Sequence, residues 1–346
     1  MVLRDKLLVT FPVDLGNRTI ETNLRHIFKD DMDFYSFADK HSVEIDAGKI
    51  SVLKSLRHRI NSTCSLRKIV STYAGDKNKI LFNGLSPALF SYGSWNPNKT
   101  ILMIDWTRNL YPSVLHNKIR KDSVYYLQRR ILQSCPKILV STDTIFNHLV
   151  EIYNVNPSTI IKVPIPFLVE AMGITPGPTP HKPRVLFVGG DLDRKGGKFL
   201  LKHWDKSLSE RCTLSMMTND PLANVPEVNF LPGIKYGSEQ HRKVFSEHDI
   251  LILPTKIDCY PMALGEAAAA GLAVITTKYA LASADLVADR LSGYIADSQE
   301  DCLHKLRTLL DNSFLIDKFK ANGYALMHSR YSKDKIKFAF LNAINK

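Results

Sequence analysis

Two carboxylates, Asp258 and Glu266, stand eight residues apart in a stretch that carries no Lys or Arg between Ile257 and Leu272. They lie within Asp249–Thr277, DILILPTKIDCYPMALGEAAAAGLAVITT, where the apolar runs Ile250–Leu253 and Ala273–Ile275 flank a loop and a small-residue segment. The pattern predicts strand, loop, helix from about Met262 to Ala270, and strand. That is one crossover of a parallel sheet, in which ligands bind at the carboxyl ends of the strands. A helix start exposes unpaired backbone N–H groups, here those of Met262, Ala263 and Leu264, and these form a seat for an anion. With an acceptor on either side, the seat suits a sugar nucleotide: phosphates on the N–H groups, hydroxyls of the sugar and ribose on the carboxylates. Taken alone, the same acids also read as a helix residue favoured by the dipole and a solvated loop residue.

A second cluster follows the apolar run Arg184–Val188, where the chain reads GGDLDRKGG. Gly189 and Gly190 directly after a strand let backbone approach a phosphate, and Arg194 with Lys195 supplies charge to hold a diphosphate. The segment has neither the glycine and hydroxyl pattern of a Walker A loop nor GxGxxG. Asp191 and Asp193, one residue apart after a strand, could hold a divalent metal. They immediately precede two cations, so the site neutralises phosphate with its own side chains and no metal is expected.

The elements that must position these groups are legible as alternating strands and helices. Lys6–Phe11 reads as a strand, followed by a Gly16–Asn17 turn and a helical pattern through Ile20, Leu24, Ile27 and Phe28. Ile80–Phe82, Thr100–Ile104 and Lys137–Val140 read as further strands, the second ending at Asp105. Six prolines between Pro164 and Pro183 mark a domain boundary. Lys49–Lys68 places Ile50, Leu53, Leu56 and Ile60 on one helical face with Lys54, Arg57, His58 and Arg59 elsewhere. This suits either a core-facing helix with a solvated back or a basic amphipathic helix on an anionic membrane. Near the end, Phe314–Ile344 reads as helical.

The central stretch resembles the signature of retaining nucleotide-sugar glycosyltransferases of the GT-B fold, glycosyltransferase family 4 (glycosyl transferases group 1). That pattern is Glu, seven residues, Glu, with an aromatic two after the first acid and a small-residue helix ending in Gly; here stand Asp258, Tyr260, Glu266, Ala267–Ala270 and Gly271. The segments IDWTRNLYPS, YNVNPSTIIKVPIPF, RKGG and ANGYALMHSRYS carry the resemblance along nearly the whole chain, most strongly from Lys137 to Ser298. Departures are Asp258 for Glu, Gly190 where an Arg often stands, and Asp105 where many relatives have His. The resemblance implies that the Gly16–Asn17 turn approaches the donor phosphates across a cleft, although a turn that simply needs Gly is as good a reading. It further implies that Asp105 faces the reacting sugar or the acceptor, with capping of the next turn as the alternative. The nucleobase is expected near Asn229–Gly233 and Ile234–Tyr236, where the Tyr236 ring could stack.

Composition excludes other classes. The 346 residues are 45% apolar, enough for two cores, and no run approaches the ~18 apolar residues that span a bilayer. Five scattered cysteines without a CxxC pair favour free thiols in a reducing compartment over a disulfide framework or zinc site. The net charge of +12 attracts phosphates of some kind, but no nucleic-acid recognition motif accompanies it and the cations are not interleaved with aromatics.

The expected architecture is therefore α/β, with two doubly wound Rossmann-like domains facing across a cleft: 1–168 on the acceptor side, a linker 169–183, a donor-binding domain 184–325, and 326–346 crossing back to the first. The expected activity is metal-independent, retaining transfer of a sugar, hexosyltransferase-like, to a glycan or lipid-linked acceptor in cell-surface polysaccharide or glycoconjugate synthesis. The expected location is cytoplasmic, with Lys49–Lys68 as a peripheral contact on the inner face of the membrane. A catalytically silent sugar-nucleotide binder or scaffold of the same fold is the alternative.

Overall fold

The computed structural model of the protein describes residues 7–12, 15–29, 32–37, 52–74, 78–167, 169–172, 174–220, 225 and 227–345. The chain forms two compact units, residues 1–166 together with 334–346, and residues 167–333.

The first unit holds a six-stranded sheet of β1 (Leu7–Pro12), β2 (Met32–Phe37), β3 (Lys79–Asn83), β4 (Thr100–Ile104), β5 (Lys137–Val140) and β6 (Ile160–Lys162), in the order β2-β1-β3-β4-β5-β6. All its pairings are parallel. β4 is buried at every position, as a strand covered on both faces must be. The helix after β1 begins at Leu15, which puts Gly16 inside its first turn. The expected Gly16–Asn17 turn is thus corrected: the helix starts before it. The helix Val52–Ala74 buries Leu66 and Val70. Lys49 to Ser51 of the expected basic amphipathic segment lie outside the described residues. The chain ends in two helices, Ser313–Arg330 and Lys333–Asn345, rather than one continuous segment. The last belongs to the first unit, where Phe340 packs on Phe28 with ring centroids 6.0 Å apart. The Ile344 carbonyl accepts from Lys79 Nζ at 3.2 Å and Lys137 Nζ at 3.0 Å.

The second unit repeats the plan with β7 (Arg184–Val188), β8 (Thr213–Met217), β9 (Val228–Phe230), β10 (Ile250–Leu253), β11 (Ala273–Thr277) and β12 (Gly293–Ala296), in the order β12-β11-β10-β7-β8-β9. The chain leaves β7 toward β9 on one side and returns through β10 to β12 on the other. This reversal between β7 and β10 opens a crevice at their carboxyl ends, where ligands of doubly wound sheets bind. Both strands are apolar and buried, and Ile250 pairs with Val185 on one side and Ala273 on the other. The proline-rich segment is tied onto this unit: the Asp317 carboxylate accepts from Thr179 N–H at 2.9 Å and from Thr179 Oγ1 at 2.6 Å. Pro176 lies over Gly271, whose φ of +76° and lack of a Cβ, which would meet Pro176 Cγ at 2.4 Å, make glycine necessary there. No described helix is long and apolar enough to cross a membrane.

Candidate active site

The turn after β7 is wound tightly enough to press on the loop after β10. Lys195 N–H donates to the Asp191 carbonyl at 2.9 Å and Gly196 N–H to the Asp193 carbonyl at 3.3 Å. Gly196 has φ +83°, and a Cβ there would sit 2.0 Å from the Pro254 carbonyl oxygen. Only glycine allows this approach. The two segments are then stitched together at the Arg194 carbonyl, which accepts from Lys256 N–H at 2.8 Å and Thr255 Oγ1 at 3.1 Å.

This junction delivers the expected cations to the expected acid. Arg194 Nη1 lies 3.3 Å, and Lys195 Nζ 3.5 Å, from Asp258 Oδ2. Arg194 also donates through Nη1 to the Ile257 carbonyl at 3.0 Å and pairs through Nε with Asp191 at 3.2 Å. Asp191 caps the turn, and the Arg194 N–H bonded to it, with the guanidinium charge, holds its carboxyl below the usual range. Asp193 points elsewhere and pairs with Lys256 at 3.0 Å. Asp191 and Asp193 thus serve different cations. Lys195 lies across Gly189, where a Cβ would come within 2.7 Å of its Cδ, while a Cβ on Gly190 would meet nothing within 4 Å. The Asp258 backbone is pinned as well: its N–H donates to the Tyr279 carbonyl at 2.9 Å and its carbonyl accepts from Leu281 at 2.8 Å.

The helix Met262–Ala269 follows, with Pro261 before it and no side-chain hydrogen bond capping its start. Leu264 N–H turns back to the Pro261 carbonyl at 3.0 Å, so the expectation of three open donors at Met262, Ala263 and Leu264 is corrected to the first two. Residues Ala263 to Ala269 are buried, which keeps the helix dipole poorly screened. Tyr260 turns its hydroxyl to that of Tyr331 at 3.2 Å, and burial raises its pKa well above the usual phenol value. One turn in, Glu266 is buried with its Oε2 3.7 Å from His241 Nε2. Tyr236 lies edge-on to the His241 ring with centroids 5.3 Å apart. His241 was not legible beforehand, because 25 positions of chain separate it from Glu266 and no local spacing links them.

Asp105 and Gly16 belong to the first unit, at the end of β4 and in the helix after β1. Asp105 is half-buried, beside an exposed Trp106. Two residues on, buried Thr107 Oγ1 is 2.8 Å from His148 Nε2, and Ser113 Oγ is 3.3 Å from the other ring nitrogen. Burial pushes His148 down to about 4, so the imidazole is neutral near pH 7. This cluster also went unread in the sequence.

The family model described as Glycosyl transferases group 1 matches residues 182–312. A glycosyltransferase from Rickettsia africae has a TM-score of 0.72 at 14% identity, covering 99% of this chain and 98% of that one. Sucrose-phosphate synthase from Thermosynechococcus elongatus has a TM-score of 0.74 at 13% identity, covering 97% of each. Anabaena HepE in complex with UDP-glucose has a TM-score of 0.72 at 11% identity, covering 98% of this chain and 99% of that one. No curated protein matches the chain in sequence. The chain therefore has the GT-B fold of two parallel-sheet units, and its second unit carries the glycosyl transferases group 1 segment.

Proposed function

We propose that the protein is a retaining glycosyltransferase that moves a sugar, a hexose, from a nucleotide diphosphate donor to a glycan or lipid-linked acceptor in the synthesis of cell-surface polysaccharide or glycoconjugates. The observation that carries this reading is the junction of Arg194, Lys195 and Asp258 beside the uncapped start of the helix Met262–Ala269. A diphosphate leaving group gains negative charge as its bond to the sugar breaks. Two cations and the Met262 and Ala263 N–H groups, fixed in advance, stabilise that charge where it develops. They do so without a metal ion. No described side chain of the second unit is assigned as a separate base for the acceptor hydroxyl, and the departing phosphate takes that proton.

The other groups divide the donor among them. Glu266 accepts from the ribose hydroxyls, Asp258 faces the sugar and the positive charge that builds on its ring, and Tyr236 lies against the base. Gly189 and Gly190 leave room for the phosphates. Gly16 serves the donor phosphates, and Asp105 faces the reacting sugar or the acceptor. The solved Anabaena HepE complex contains UDP-glucose, which supports a sugar nucleotide as the donor class.

A panel of nucleotide sugars incubated with purified protein and EDTA tests this proposal. We expect release of a nucleoside diphosphate from one donor, with the transferred sugar keeping its anomeric configuration by NMR. Turnover restored only by Mg²⁺ or Mn²⁺ would instead support Asp191 and Asp193 as metal ligands. The pairing of Asp258 with both cations also favours one second reading, a protein that binds a sugar nucleotide without turning it over. Binding of one donor with neither transfer nor hydrolysis would establish that reading.

A further inference from the structure

Glu266 is a carboxylate buried to 6% side-chain exposure, and among the described residues its one partner within ion-pair distance is His241, itself 4% exposed. The separation of 3.7 Å is too long for a hydrogen bond. Buried carboxylates normally collect several donors, so this one is left with capacity to spare. His241 is placed with unusual care for a side chain so poorly bonded. It sits on the helix Glu239–Ser246, where Ser238 Oγ accepts its N–H at 3.1 Å, and its ring is held between Tyr236 and Phe245, with centroids 5.3 and 5.0 Å away. The ring's Nδ1 is buried with no hydrogen-bond partner.

For the neutral ring these facts select the tautomer. A proton on Nδ1 alone would be a buried, unsatisfied donor and would turn the Nε2 lone pair against the carboxylate. The neutral form with its proton on Nε2 is the one that aims a donor at Glu266 and leaves nothing worse than an unused lone pair. Contacts of this kind in unliganded sites are often long and tighten when the ligand arrives.

We propose that His241 is a positioning residue for the donor's ribose: its Nε2–H holds one oxygen of the Glu266 carboxylate, so that the other is presented to the vicinal hydroxyls of the ribose. The inference rests on the reading in which Glu266 takes those hydroxyls. It assigns His241 no contact with the donor and no part in bond breaking.

Titration calorimetry with UDP or GDP, whichever the wild type binds more tightly, and with its 2′-deoxy analogue tests it, with inorganic pyrophosphate as a probe that lacks a ribose. The wild type should prefer the ribonucleotide by about tenfold, as loss of one charge-assisted hydrogen bond implies. Glu266→Gln should abolish most of that preference, and retention of it there would remove the reading on which the inference rests. With that established, His241→Phe should reduce the preference to about twofold or less, His241→Asn, which keeps an N–H donor, should restore part of it, and pyrophosphate binding should stay unchanged in both. In turnover, His241→Phe should raise the donor KM with kcat within about twofold. A His241→Phe protein that keeps the full 2′-hydroxyl preference would overturn the proposal while leaving Glu266 in place. Loss of pyrophosphate binding in both His241 variants would overturn it too, since the histidine would then be holding the unit together instead of aiming one carboxylate.

Discussion

The carboxyl ends of the two sheets are built on opposite electrostatic plans. At β7 and β10 the second unit concentrates fixed charge: Arg194 and Lys195 converge on Asp258, a glycine with positive φ locks their turn against the neighbouring loop, and a buried helix begins uncapped beside them. At β4 the first unit gathers hydroxyls around a buried neutral imidazole, Thr107 and Ser113 on His148, behind a half-buried Asp105 and an exposed Trp106. The difference teaches how the work is divided. In the proposed function, a pre-assembled cluster of charges and backbone donors takes the part of the substrate that never varies, a diphosphate. In the same reading, an end built on hydroxyls around a neutral imidazole, with Asp105 and an exposed Trp106 beside them, suits an acceptor recognised by shape and hydroxyls.

The comparison breaks most completely at Gly196. Gly196→Val must move either the turn or the Pro254 carbonyl, so we expect a stability loss of about 3 kcal/mol or more, with nucleotide binding lost; thermal unfolding and calorimetry read both. A variant that binds as well as the wild type would show that the junction is not fixed by this contact.

The buried imidazole of the first unit makes a pH prediction. With His148 held near 4 in the folded state and near 6.5 when unfolded, the unfolded chain binds the extra proton between these values. Stability is therefore complete above about pH 6.5 and is lost as pH falls toward 4, by on the order of 3 kcal/mol in total. Denaturant unfolding of the wild type and of His148→Gln across pH 4 to 7 should show that the variant has lost this part of the slope. Equal slopes would mean that His148 is charged in the folded protein.

Asp258→Asn sharpens the second unit. Its pairing with both cations means that neutralising it frees them, so turnover should fall about a hundredfold, ~2.7 kcal/mol in the barrier, while affinity for a nucleoside diphosphate does not weaken. Loss of diphosphate affinity would place Asp258 in the binding of the phosphates instead. Lys195→Ala has the smallest expected effect, about tenfold weaker diphosphate binding with little change in melting temperature, because the exposed part of its pairing is screened.

Much of this was legible in the chain alone. β4, β5, β7 and β10 were readable to the residue, since central strands of a parallel sheet are continuous apolar runs. The strand β2, MDFYSF, lies at a sheet edge, and β8, TLSMM, mixes polar and unbranched residues, so neither shows that run. In the site, Arg194, Lys195, Asp258 and Glu266 stand out by residue type and spacing. Their pairing does not, because it depends on Gly196 bringing together loops some sixty positions apart, and a tertiary approach leaves no periodic trace. Leu264 was misread for a local reason: the first helical turn tightens at Pro261 and uses its N–H. His241 and His148 are single histidines on otherwise ordinary helices, and only the fold gives each its partner.

The central claim is that cations of the chain itself hold the donor's diphosphate, and titration of UDP and GDP into the wild type and into Arg194→Ala/Lys195→Ala, both in EDTA, tests it most directly. The account predicts saturable binding of one of them by the wild type without metal and loss of about a hundredfold or more in the double variant, with both proteins folded by circular dichroism. Equal affinities in the two proteins, or wild-type binding that appears only on adding Mg²⁺, would contradict it.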